Sequence, residues 1–285
     1  MKIRCLLFAA AVIGLSLSST HADVSAGSAP TDAAGFSRRA HAYAARGDFV
    51  HAIADLTRAC ALAPTEPDYL YERGMARWNN GQPFAAMEDF GQALELKPAH
   101  VPALIARAEL RLAGHDNAGV ASDLDAANRF APPGADIRFT IGNLYTRIDH
   151  FGPAVAQYDL WIAAHREDAR LPDAFNARCW ARALWGRELE KALGDCHSAL
   201  RRRPRTAAFL DSRALVELRL GQFDQSIGDY DAALDSEPKN AWLLYARGIA
   251  ELRAGRKAAG RADIAAATAL QPRILQVGEQ RGLTP

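Results

Sequence analysis

An all-α solenoid of stacked helical hairpins is what this chain predicts, on three observations. Six prolines keep a fixed interval: Pro64, Pro98 and Pro132, then Pro204, Pro238 and Pro272, 34 residues apart within each trio. Between them, apolar residues fall at i, i+3, i+4 and i+7, the period of a helix. Small residues recur in register, in the columns Ala52, Ala86, Val120, Ala154, Ala192, Ser226, Gly260 and Ala59, Ala93, Ala127, Ala199, Ala233, Ala267. A period of this length means repeated supersecondary units that bury their faces only on their neighbours.

Each unit reads as helix, turn, helix. The first helix carries its own small residue (Ala40, Gly74, Ala108, Gly142, Ala214, Gly248). The second carries a larger apolar column between its two small ones: Leu56, Phe90, Leu124, Tyr158, Cys196, Tyr230, Ile264. Small positions let two helix backbones approach, and the larger column fills the groove beside them. Gly47, Gly81, Gly221 and Gly255 stand between the halves, where a helix end favours a left-handed residue; Gly114 and Gly186 sit one place early. Pro83 and Pro102 fall in first turns, which tolerate a missing N–H. The periodic prolines close each second helix.

This column set resembles the tetratricopeptide repeat, a 34-residue helix–turn–helix with small and aromatic signature positions. Seven repeats follow: 33–66, 67–100, 101–134, 135–172, 173–206, 207–240 and 241–272, with 273–285 as a short cap over the last face. The fourth has Arg166 where the closing proline belongs and carries an insertion at Glu167–Pro172, which predicts a kink; the fifth has Asn176 where a bulky apolar residue belongs. The resemblance implies a right-handed superhelix whose concave face is made by the first helices. It places ligand contacts at Tyr71, Met75, Trp78, Asn79, Ile105, Glu109, Leu112, Phe139, Asn143, Arg147, Trp242, Tyr245 and Ile249. Aromatics with a few polar groups suit a protein or peptide segment. Several of them could instead pack between repeats. The alternative ligand is envelope glycan, stacking on Tyr71, Trp78 and Trp242. The Lys/Asn/Arg clamp of the family's chaperone-tail binders is absent, its places holding Ser37, His41, Glu72, Pro102 and Ala106.

The N-terminus begins with Lys2 and Arg4, continues with the apolar run Cys5–Leu17 and reaches Thr20-His21-Ala22. That is the order of a secretory signal peptide, residues 1–22, cleaved after Ala22 and followed by a linker over 23–32. The run is short for a membrane span, and no cysteine follows it for lipid attachment. The expected location is the periplasm or the exterior. Three cysteines remain: Cys60, Cys179 and Cys196. Cys179 and Cys196 lie in facing columns of the fifth repeat and are either a disulfide or two buried thiols.

Net charge is +1, from 34 basic and 33 acidic residues, without the basic field of a nucleic-acid binder. Arg201-Arg202-Arg203-Pro204-Arg205 closes a helix, where cations complement its dipole. Arginine recurs at 39, 73, 107, 213 and 247, and aspartate at 55, 89, 123, 195, 229 and 263. A catalytic pair occurs once, whereas a pair present in every unit is structural, here an Arg–carboxylate bridge within or between repeats. Ile141 and Gln157 replace both partners in the fourth repeat, and Cys179 stands in the arginine column of the fifth. Trp161 and Trp180 break small columns and are expected to pack in the core, Trp161 on Gly142 and Ala154, Trp180 on Ala192 and Ala199. No nucleophile elbow, phosphate loop, zinc-binding helix or dinucleotide fingerprint occurs, and the histidines lack ligand spacing. The expectation is a non-enzymatic binding protein without cofactor or metal.

Overall fold

The computed structural model describes residues 30–285; the expected signal peptide and most of the expected linker lie outside the described residues. Fifteen α-helices and no strand occur among the described residues. They are α1 (Ala33–Ala45), α2 (Phe49–Leu62), α3 (Pro67–Asn79), α4 (Pro83–Leu96), α5 (Val101–Ala113) and α6 (Asn117–Phe130). Then follow α7 (Ile137–Arg147), α8 (Phe151–Ala164), α9 (Leu171–Trp185), α10 (Leu189–Arg202) and α11 (Ala207–Arg219). The chain ends with α12 (Phe223–Ser236), α13 (Ala241–Arg253), α14 (Lys257–Leu270) and the short α15 (Ile274–Gln280). Each odd helix from α1 to α13 packs on the even helix after it, and each even helix from α2 to α12 on the odd helix that follows. Odd helices also reach the next odd helix, α3 on α5, α7 on α9, α9 on α11 and α11 on α13. They therefore form the inner row of a curved stack.

Local chemistry starts and stops these helices. Carboxylates of Asp32, Asp48 and Asp116 accept from the backbone N–H of Gly35, His51 and Gly119 and cap α1, α2 and α6. Between the helices of a hairpin the chain passes through a left-handed residue, glycine at 47, 81, 221 and 255 with φ of 76–83°. Gly114 departs from that expectation. It keeps φ −86°, and His115 takes the left-handed place at 59°.

The hairpins are close because nothing larger than hydrogen fits at two contacts. A Cβ on Gly74 would lie 2.5 Å from the Phe90 ring, and one on Gly142 would lie 2.7 Å from Tyr158. Alanines 52, 86, 93, 127, 154, 192, 199 and 233 are completely buried beside this column. The recurrent bridge lies within a repeat: Arg39–Asp55 at 2.7 Å, Arg73–Asp89 at 2.7 Å, Arg107–Asp123 at 2.6 Å, Arg213–Asp229 at 2.6 Å and Arg247–Asp263 at 2.6 Å. In the second and third repeats another arginine, Arg77 or Arg111, holds the same carboxylate at 3.0 or 2.8 Å.

The fifth repeat keeps the bridge through Arg178, which meets Asp195 at 2.5 Å, with Arg182 on its other oxygen. The partners are 17 residues apart there and 16 elsewhere, so α9 is shifted by one residue. Cys179 consequently takes the small-residue place, opposite Cys196, and the two are joined by a disulfide with Cα atoms 5.7 Å apart. Cys60 is free and half-buried.

That shift also overturns the core placement of Trp180, which turns to the inner face and is only partly buried. Trp161 is fully buried, but against Phe139, His165, Leu171 and Ala174 rather than Gly142 and Ala154. In the fourth repeat the lost bridge is replaced by buried Arg138. It donates to Gln157 at 2.6 Å, to Asn128 at 2.9 Å and to the carbonyls of Ala131 and Pro132. The insertion is anchored by Arg170, which binds Asp136 and Asp168 and lies over the Trp161 ring. The basic cluster is also engaged in part. Arg202 covers Phe175, while Arg203 covers Phe209 and pairs with Asp173.

Candidate functional site

The inner row of helices divides into two stretches. From α1 to α7 it presents partly exposed apolar and aromatic groups. Tyr71, Met75 and Trp78 on α3 are half-buried, Leu112 on α5 and Phe139 on α7 likewise, while Asn79 and Arg147 are exposed. A cavity of about 210 Å³ opens between α1 and α3, lined by His41, Ala44, Tyr71, Met75 and Asn79 among others. Its wall is shaped by sequence. Tyr71 leans on Phe90 and on His100, whose Nε2 bonds to Asp68 at 2.7 Å and whose Nδ1 accepts from the N–H of Ala103. Asn79 turns its amide back to the Met75 carbonyl at 2.9 Å.

Several polar groups face this stretch. Burial raises the carboxyl of Glu109 above its ordinary range, and the Arg147 cation pulls it partly back. Asn143 is engaged from behind, accepting from the Tyr158 hydroxyl at 2.8 Å. Glu109 opposite Arg147, with Glu72 beside His41 in the cavity wall, provides charge and hydrogen bonding for a ligand.

From α11 to α13 the inner face is closed. Leu215, Leu218, Tyr245 and Ile249 are at most 1% exposed. Tyr245 and Ile249 thus depart from their expected place on a ligand surface, and so does Ile105, 6% exposed in the core formed with α6 and α7. The cover over the C-terminal pair is the chain's own end. Ile274 and Leu283 are buried, Gly278 sits on the Tyr245 ring, and the Tyr245 hydroxyl donates to the Leu283 carbonyl at 2.8 Å. Trp242, expected as an exposed stacking surface, lies under the Arg281 guanidinium at 4.2 Å and donates its N–H to Asp211 at 2.9 Å. Segment 273–285 therefore reaches well beyond the last repeat, across to α9 and α11.

Between the two stretches lies a cavity of about 680 Å³, lined by Thr146, Arg147, Trp180, Leu184, Gln280 and Arg281 among others. Trp180, Leu184 and Arg281 are the residues that the repeat frame missed. A signal for the first two was present, because reading Arg178 instead of Cys179 as the bridging residue moves both to the inner face. No comparable signal marks Arg281, which lies past the last repeat.

Comparison with known proteins agrees with this geometry. The tetratricopeptide-repeat profile matches residues 67–100. A tetratricopeptide repeat protein from Parabacteroides merdae has the same fold, with TM-score 0.60 and 16% identity over 88% of this chain and 98% of that one. PilW, a type IV pilus biogenesis factor, is similar at TM-score 0.59 and 18% identity over 74% of this chain and 97% of its own. The C-terminal part of a repeat-containing protein from Cytophaga hutchinsonii gives 0.57 and 13% over 85% and 98%. No curated protein matches the sequence. Residues 67–100, the second repeat, thus match the tetratricopeptide-repeat family model, and the chain shares the fold of these repeat structures.

Proposed function

We propose that the chain is a non-catalytic scaffold of the bacterial cell envelope that holds an extended segment of a protein partner along the inner face of its first four repeats. One observation carries this reading: a row of half-buried apolar side chains, Tyr71, Met75, Trp78, Leu112 and Phe139, stays open to solvent, while Leu215 and Leu218 on α11 and Tyr245 and Ile249 on α13 are sealed. Rigid aromatic anchors in shallow pockets, with polar groups between them, are what an extended peptide uses for affinity and register. Asn79, Glu109 and Arg147 would supply the polar register. Isolated carboxylate and cation charges support binding rather than chemistry.

The envelope assignment rests on Lys2 and Arg4, the apolar run Cys5–Leu17 and the small residue at Ala22. Among the described residues no helix is long and apolar enough to cross a membrane. Cell fractionation with N-terminal sequencing tests it, with the mature chain expected to begin at Asp23 in the periplasmic or secreted fraction. The partner class is tested by incubating the mature chain with purified cell-wall sacculi. Co-sedimentation as strong as that of a known wall binder would replace the protein partner with a glycan.

A further inference from the structure

The C-terminal segment is bound as a ligand would be bound. Arg281 lies across two indoles that meet edge to face at 82°, its guanidinium carbon 5.4 Å from the centre of Trp180 and 4.2 Å from that of Trp242. Asp211 sits behind, holding the Trp242 N–H at 2.9 and 3.2 Å. The main chain of the segment is read as well. The Arg281 carbonyl accepts from Arg219 Nη2 at 2.6 Å, and the Leu283 carbonyl accepts from the Tyr245 hydroxyl at 2.8 Å. Leu283 itself is 1% exposed.

A cap over the last repeat would need only apolar cover, which Ile274 and Gly278 already give. It would not need a half-buried guanidinium set against two π faces from helices four apart. Recognition of a cation does need them, because an indole face attracts a guanidinium most strongly once water is removed. The site is also reached from the open groove: Trp180, Gln280 and Arg281 line the 680 Å³ cavity whose opposite wall carries Arg147.

We propose that Trp180, Trp242 and Asp211 form a guanidinium-binding site, occupied in the free chain by its own Arg281. Its ligand in trans is a protein segment that closes a helical turn with an arginine two residues before an aliphatic side chain, the arrangement of Arg281 and Leu283 around the left-handed Gly282. Binding of such a segment displaces the C-terminal tail and joins the sealed stretch to the open groove. This rests on the reading of the chain as a peptide-binding scaffold, and it names the chemistry of one end of the ligand.

The test uses the full mature chain and an acetylated peptide of residues 274–285, which carries α15 and its closing turn, with an analogue carrying alanine in place of Arg281. The Arg281→Ala chain should bind the peptide with a change in indole fluorescence. Affinity should be at least about tenfold weaker for the analogue, the loss expected for a desolvated cation–π contact. The unmodified chain should bind the peptide more weakly than the Arg281→Ala chain, because its own tail competes. Equal binding of peptide and analogue, or no binding to the Arg281→Ala chain, would overturn the proposal. Hydrogen exchange on the unmodified chain gives an independent reading. The amides of Arg281, Gly282 and Leu283 bond to the carbonyls of residues 277–279, and excess peptide should speed their exchange, whereas unchanged protection contradicts displacement. Failure of the scaffold reading would appear elsewhere, as absence of partner contact at Tyr71 and Trp78.

Discussion

At the scale of single residues, the bridge column shows how a repeated position becomes informative when one copy differs. Arg77, Arg111 and Arg182 clamp the bridging aspartate a second time. Glu217 occupies that place in the sixth repeat, buried beside Asp229, with one carboxylate oxygen unpartnered and Arg213 3.8 Å from the other. Burial, then Asp229, push its carboxyl up to about 7. Because the folded pKa lies above the unfolded one, the chain loses stability as pH rises from about 4.5 to about 7 and regains none above. Glu217→Gln should therefore raise stability by about 1–3 kcal/mol at pH 8 and change it little at pH 4. Urea unfolding at both values checks this; an equal effect at the two would show that titration is not the cause. The same column misled the reading of Trp180. Its neighbours Arg178 and Cys179 both fit a repeat frame, and the sequence does not say which one carries the bridge until Asp195 is seen to choose Arg178.

At the scale of elements, helix pairs, their turns and the placement of Tyr71, Met75 and Trp78 on inner helices were legible, because period, glycine and proline all mark the same boundaries. Gly74 is the sharpest case. Its backbone is helical, where alanine would be favoured by about 1 kcal/mol, yet a Cβ would meet the fully buried Phe90 ring at 2.5 and 2.8 Å. Gly74→Ala should destabilise the chain by about 1–3 kcal/mol. Gly91→Ala, mid-helix with nothing within 4 Å of the added carbon, should stabilise it by about 0.5–1 kcal/mol. Thermal melts of the two variants shifting in the same direction would refute the close-packing argument. The fifth hairpin adds a covalent element, since Cys179 and Cys196 are 17 residues apart. Opening that loop with a reductant should cost about 3 kcal/mol, read as a lower unfolding midpoint that the Cys179→Ala chain no longer shows on reduction.

At the scale of the whole molecule, a solenoid that contacts only its neighbours has one continuous inner face, and its function depends on which part is open. Repeat arithmetic predicts the face but not its occupant. Tyr245, Ile249 and Trp242 carry the right spacing for ligand contacts, and they are covered because the thirteen residues after Pro272 fold back over them. Non-repeating tails have no period to read, so this closure was not legible. Ile105 is covered for a related reason, with a neighbouring helix pair rather than a tail burying it.

The central claim, that the open inner face of the first four repeats holds a partner segment, is tested by placing one photoreactive residue at Tyr71 and another at Phe84. Phe84 is 87% exposed and belongs to an even-numbered helix outside the inner row. After irradiation of cells exporting the full chain, the account predicts that Tyr71 links to a defined protein segment, identified by mass spectrometry, and that Phe84 does not. The same adduct at Phe84 with none at Tyr71 would place the partner on the outer edge and contradict the account.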